Sequence, residues 1–168
     1  MLVPLCLVAP VHSSVTEEPV KTQRPARVVP ADAAVHWQGA TWRFEALTSV
    51  RPSALAELPP RTALILGVIS VVPKNKTVAK NIYLCNFTVR DNEGRRWEKA
   101  IGSFLPDALS QAYPEECAPD DYDHTYIQPG NRQMVMMTFI VPREVVGQLN
   151  LEVTVRSRGE SHRLRFAR

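Results

Sequence analysis

Apolar and polar residues alternate with a period of two over much of the chain beyond residue 35, the pattern of strands with one buried face. From Leu149 to Arg156 the alternation is regular, with Leu149, Leu151, Val153 and Val155 set against Asn150, Glu152, Thr154 and Arg156. Ser161 to Ala167 repeats it with His162, Leu164 and Phe166 on one side, and Ser157-Arg-Gly-Glu160 supplies the turn of a closing hairpin. Thr41 to Val50 puts Trp42, Phe44 and Ala46 on one face. Ile82 to Arg90 does the same with Tyr83, Cys85, Phe87 and Val89, and Asp91-Asn-Glu-Gly94 then turns the chain into a short partner strand carrying Trp97 and Ile101. Helix is expected only over Arg143 to Gly147, about one turn after Pro142.

Two segments, Ala63 to Val72 and Met134 to Val141, are apolar on both faces and need cover on both sides. In a sandwich of two sheets one face of each is protected by the opposite sheet, and the long connection 102–126, with Phe104, Leu105, Leu109 and Tyr113, is the nearest cover for the other. On this reading Met134, Met136 and Met137 are core residues, in preference to an adaptable binding surface. The count of about seven short strands separated by turn signals predicts an all-β, antiparallel β-sandwich.

The punctuation of those strands carries a resemblance. Gly39-Ala-Thr-Trp-Arg-Phe44, the apolar strand running into Pro73-Lys-Asn75, Phe87-Thr-Val-Arg-Asp-Asn-Glu-Gly94, Pro129-Gly130 and Phe139-Ile-Val-Pro142 occur in this order. The sequence from Val35 to Arg168 thereby resembles the small secreted immunoglobulin-like domains of actinobacteria and firmicutes, a group of secreted immunogenic antigens and domains of unknown function. The resemblance implies an immunoglobulin-like sandwich and export, and it brings no catalytic residues with it. The 102–126 connection, longer than that pattern needs, departs from it.

The N-terminus points the same way. Residues 1–11 form an apolar stub of about half the ~20 residues that a spanning helix needs, with two prolines and no Lys or Arg ahead of Lys21, so it reads as the remnant of a longer signal peptide or membrane anchor. Leu5 before Cys6 does not fit a lipid-attachment site. Residues 12–34, polar and spaced by Pro19, Pro25 and Pro30, read as a disordered, extended tether, which leaves 35–168 as the folded domain. Export implies oxidising conditions, under which Cys85 and Cys117 are expected to pair as a disulfide.

Composition adds little chemistry. The acidic run Glu115-Glu-Cys-Ala-Pro-Asp-Asp-Tyr-Asp-His124 lacks the spacing of a calcium loop or a zinc site, so no metal and no cofactor is expected. Nucleophile-elbow, zinc-protease and phosphate-loop motifs do not occur, and His36, His124 and His162 are isolated in sequence. The chain is modestly basic, +3, and Arg156, Arg163 and Arg165 project from the polar face of the last hairpin, with Arg158 and Arg168 nearby. Such a patch suits an anionic wall polymer, lipid headgroup or other envelope partner, whereas nucleic acid does not suit an exported module with balancing acidic residues. Asn75-Lys-Thr77 and Asn86-Phe-Thr88 match the glycosylation triplet, which matters only in a glycosylating pathway. The expectation is therefore a non-enzymatic interaction module of the cell envelope, extracytoplasmic and touching the membrane only through an N-terminal anchor. The alternative is an extracytoplasmic enzyme or enzyme accessory with its site under the 102–126 loop.

Overall fold

The computed structural model describes residues 25–54, 57–82, 85–101, 104–105, 128–157 and 160–168. Their strands are β1 (Arg27–Pro30), β2 (Ala34–Trp37), β3 (Ala40–Val50), β4 (Thr62–Pro73), β5 (Asn86–Arg90), β6 (Arg96–Glu98), β7 (Gln133–Pro142), β8 (Asn150–Ser157) and β9 (Glu160–Ala167), with one α-helix, α1 (Lys76–Ile82). They form a five-stranded sheet, β1-β9-β8-β5-β6, packed on a four-stranded sheet, β2-β3-β4-β7. All neighbours are antiparallel except β1 and β9. The protein is a β-sandwich, with more strands than the seven that alternation alone finds.

The inner faces follow the period-two pattern. Leu151, Val153 and Val155 of β8, Leu164 and Phe166 of β9, and Phe87 and Val89 of β5 are buried against Trp42, Ile65, Ile69, Val71, Met137 and Phe139 of the other sheet. Trp42 is fully buried, meets Trp37 edge-on at 5.9 Å and donates its indole N–H to the Trp37 carbonyl, so its one polar atom is satisfied inside the core.

The outer face of β4 and β7 forms a second apolar cluster. Leu64 and Met136 pack there with Leu105, and Phe104, Leu58, Val50, Leu66, Val68 and Ile140 lie around them. Phe104 and Leu105 thus supply the cover expected of the long connection, held by the Ser53 amide on the Phe104 carbonyl; Leu109 and Tyr113 lie outside the described residues. Met136 belongs to this outer cluster and Met137 to the inner core, as the core reading of the methionines requires, whereas Met134 is half-buried and joins neither.

Four local expectations are corrected. First, β3 shifts register between Phe44 and Ala46, so Leu47 enters the core where strict alternation puts Ala46. Second, β1 lies inside the segment 12–34 assigned to the tether: it pairs with the C-terminal strand and buries Val29, an edge contact too short to show a period. Third, Ile82 ends α1 and does not start a strand. Asn75 accepts the Val78 amide on Oδ1 as the helix N-cap, and Ala79 and Ile82 turn into the core where the chain crosses from one sheet to the other. Fourth, β6 ends at Glu98, and Ile101 is 94% exposed. The turn after Pro142 is a 3-10 helix, Arg143–Gln148, close to its expected place, and Val145 is its buried residue.

Gly67 faces the inner core, where a Cβ would sit 3.2 Å from both Met137 Cγ and Phe139 Cε2. Gly67→Leu is expected to overpack this site and to lower stability by about 1–3 kcal/mol, read as a lower urea midpoint at unchanged slope.

Candidate functional site

The outward face of the five-stranded sheet is polar because the same alternation that buries Leu151 and Val153 turns Glu152 away from the core. Glu152 nevertheless has no exposed surface. Register explains why: Glu152 lies opposite Arg165 on β9 and opposite Thr88 on β5, and Thr88 lies opposite Glu98 on β6, with Arg96 two residues before Glu98. Arg165 donates Nε and Nη2 to Glu152 Oε2 at 3.2 and 3.0 Å. Arg96 donates Nη2 to Oε1 at 3.1 Å and reaches Thr88, and Arg163 Nη1 stands 3.6 Å from the same Oε1. Three guanidiniums thus roof one carboxylate.

Their stoichiometry leaves the roof cationic. Three guanidiniums carry three positive charges against the single negative charge of the carboxylate. Around this centre Arg90 pairs in register with Arg96, and Arg156 is exposed two steps along β8 from Thr154, itself opposite Arg163. Five arginines and two glutamates, Glu98 and Glu152, face outward here, an excess of three positive charges in a chain of net charge +3. Chemically this surface can hold an anion; it presents no nucleophile paired with a base.

The structure therefore brings Arg163 and Arg165 together over Glu152 and leaves Arg156 at the margin. Sequence reasoning finds those three from one hairpin and misses Arg96, Arg90 and Glu152. Arg96 lies on a three-residue strand, and Glu152 reads as an ordinary solvent-facing position; only the pairing register unites them.

The remaining candidates occupy separate places. Cys85, half-buried just before β5, is disulfide-bonded, while Cys117, His124 and the acidic run 115–124 lie outside the described residues, as does the stub 1–11. His36 is exposed and shares a 2.8 Å hydrogen bond with Thr41. His162 lies 3.7 Å from the Glu160 carboxylate at the edge of the inner face. Asn75 is spent on the helix cap and Asn86 donates to Glu98. Among the described residues no three His, Cys, Asp or Glu side chains converge to hold a metal, and no helix is long and apolar enough to cross a membrane. A concavity of about 560 Å³ at the β2–β3 turn has Trp37, Val72, Pro73, His36 and Lys74 among its lining.

Two other carboxylates serve structure. Burial pushes the Asp91 carboxyl up, but the side-chain and backbone N–H groups of Arg95, the Arg95 charge and the Gly94 amide outweigh it and hold Asp91 below its usual range, fastening the β5–β6 turn. Glu45, at the β3 irregularity, is likewise raised by burial and more strongly lowered by hydrogen bonds from Ser70 and Arg132 and by the charges of Arg132 and Arg43.

No family model matches the sequence, and no curated protein matches it. Solved structures do match the fold. A conserved hypothetical protein from Bacillus anthracis aligns at TM-score 0.50 and 7% identity over 80% of this chain and 94% of that one. The secreted protein MPT63 from Mycobacterium tuberculosis aligns at TM-score 0.48 and 12% identity, over 87% of this chain and 100% of that one. An uncharacterized β-sandwich protein from Clostridium difficile aligns at 0.44 and 13%, over 88% and 99%. At such identities the likeness is one of fold.

Two substitutions test the electrostatics. Glu152→Ala is expected to lower stability by about 1.5–3 kcal/mol, since three arginines lose their shared acceptor but retain access to water. Asp91→Asn is expected to lower the urea midpoint at pH 7. Because Asp91 is depressed in the folded state, its contribution is present above the unfolded carboxylate value of about 3.9 and is lost as pH falls through the folded one. The gap between wild type and variant should therefore narrow below about pH 4; a gap constant from pH 7 to pH 2 contradicts the assignment.

Proposed function

We propose that the protein is an exported, non-enzymatic interaction module of the cell envelope that meets its partner with the outer face of the five-stranded sheet. The observation that carries this reading is the gathering of five arginines against two glutamates on one sheet face, three of the arginines sharing Glu152. A charged sheet face suits a surface partner better than a small-molecule substrate, which calls for an enclosing, mainly apolar cleft with a few convergent polar groups. Extracytoplasmic placement is supported by the apolar stub ahead of a polar tether and by the disulfide state of Cys85, since structural disulfides persist in oxidising compartments. In this reading Cys117 is the partner of Cys85, and the bridge ties the 102–126 connection to the start of β5.

Fractionation of cells expressing the full chain is expected to place it outside the cytosol. Denatured exported protein, treated with an alkylating reagent before reduction, should show no mass shift from Cys85 or Cys117 and should yield a peptide pair linking them. Recovery wholly from the cytosol, or alkylation of both cysteines, contradicts the assignment.

A further inference from the structure

We propose that the arginine-framed face of the five-stranded sheet docks on an anionic phospholipid bilayer, acting as a second attachment beside the N-terminal segment. This deepens the interaction-module reading and rests on it for the choice of face.

Charge complementarity is the first argument. The excess of three positive charges is concentrated on one sheet face, where alternate residues on one strand stand about 7 Å apart and neighbouring strands about 5 Å apart. The exposed Arg96 and Arg156, with the partly exposed Arg165, therefore reach a plane of phosphates together, whereas Arg163 is mostly buried. Glu152 keeps Arg96 and Arg165 from folding away at random: it fixes one edge of each guanidinium and leaves the array positive. An Arg fork matches phosphate oxygens in geometry as well as charge.

The second argument is where the chain enters. The 24 residues ahead of the described ones lead into β1, the edge strand of this same sheet. β1 runs parallel to β9 with Arg27 level with Leu164 and Val28 level with Arg165. The described chain therefore enters β1 at the β9 edge of the sheet. Val28, 57% exposed, lies on the same outward face as Arg165 and adds an apolar contact at the margin of the cationic array. Upstream, Lys21 and Arg24 lie nearest β1 in sequence and Glu17 and Glu18 balance them farther along, so this segment adds no net charge. A single weak membrane anchor gives marginal, reversible attachment, and a basic surface is one kind of second signal. Each Lys or Arg near an anionic surface adds roughly 1 kcal/mol.

Sedimentation of the full chain with vesicles tests this. On phosphatidylcholine vesicles binding reports the N-terminal segment alone. Including phosphatidylglycerol is expected to raise affinity about tenfold or more at low salt, with the gain abolished at about 0.5 M salt. Arg156→Glu, at an exposed position outside the Glu152 cluster, should keep the wild-type melting temperature and lose most of that gain. Binding to neutral vesicles with no gain on anionic ones overturns the face proposal while leaving an N-terminal anchor intact. A salt-sensitive gain without any neutral-vesicle binding supports the face and counts against the anchor. Full retention of the gain in folded Arg156→Glu overturns the proposal. So does poly(glycerol phosphate) in solution that binds the wild type as tightly as the anionic vesicles do, because it assigns the face to a soluble polyanion. Localisation in cells is read separately, so failure here is distinguishable from failure of export.

Discussion

A strand in the middle of a sheet has two faces to satisfy, and β8 satisfies them with opposite chemistry. Leu151, Val153 and Val155 close the inner core, while Glu152, one residue out of phase, is just as deeply buried beneath arginines from β6 and β9. A one-residue slip of β8 would exchange these faces, placing a carboxylate in the hydrocarbon core and three valines and leucines under guanidiniums. The register of the five-stranded sheet is therefore specified twice, by apolar burial on one side and by charge pairing on the other. Every buried polar side-chain atom among the described residues has a hydrogen-bond partner, so this charged layer leaves no unpaired group behind.

The four-stranded sheet solves the same problem with apolar material on both sides. Leu64 and Met136 face outward but stay buried because Leu105 and Phe104 lie over them. One sheet is thus covered by its connection and the other by its own charged side chains. Among the described residues that asymmetry makes the five-stranded face a polar one, with five arginines against two glutamates.

Legibility in the sequence tracks how local the cause is. The β8–β9 hairpin and the Asp91–Gly94 turn are written in alternation and turn residues a few positions apart, and both are found. The irregularity at Glu45 is not, because its partners Ser70 and Arg132 come from β4 and from the approach to β7. α1 carries a legible cap in Asn75, yet its seven residues are too few to show a helical period, and its last, Ile82, reads as the start of the next strand. Strand β1 has only the burial of Val29 to announce it. The cationic face was visible in part, since Arg163 and Arg165 stand two apart on one strand; the buried carboxylate that organises them is a product of pairing between β5, β6, β8 and β9.

The central claim is that Glu152 holds an array of arginines whose excess positive charge binds anions as one surface. Its most direct measurement is nuclear magnetic resonance of the arginine Nε–Hε groups during titration with a short-chain soluble phosphatidylglycerol. The account expects Arg96, Arg163 and Arg165 to shift together along one saturable curve, with Arg156 following and Arg143, in the 3-10 helix after β7, unmoved. Shifts spread evenly over all arginines, or confined to residues outside this face, would contradict it.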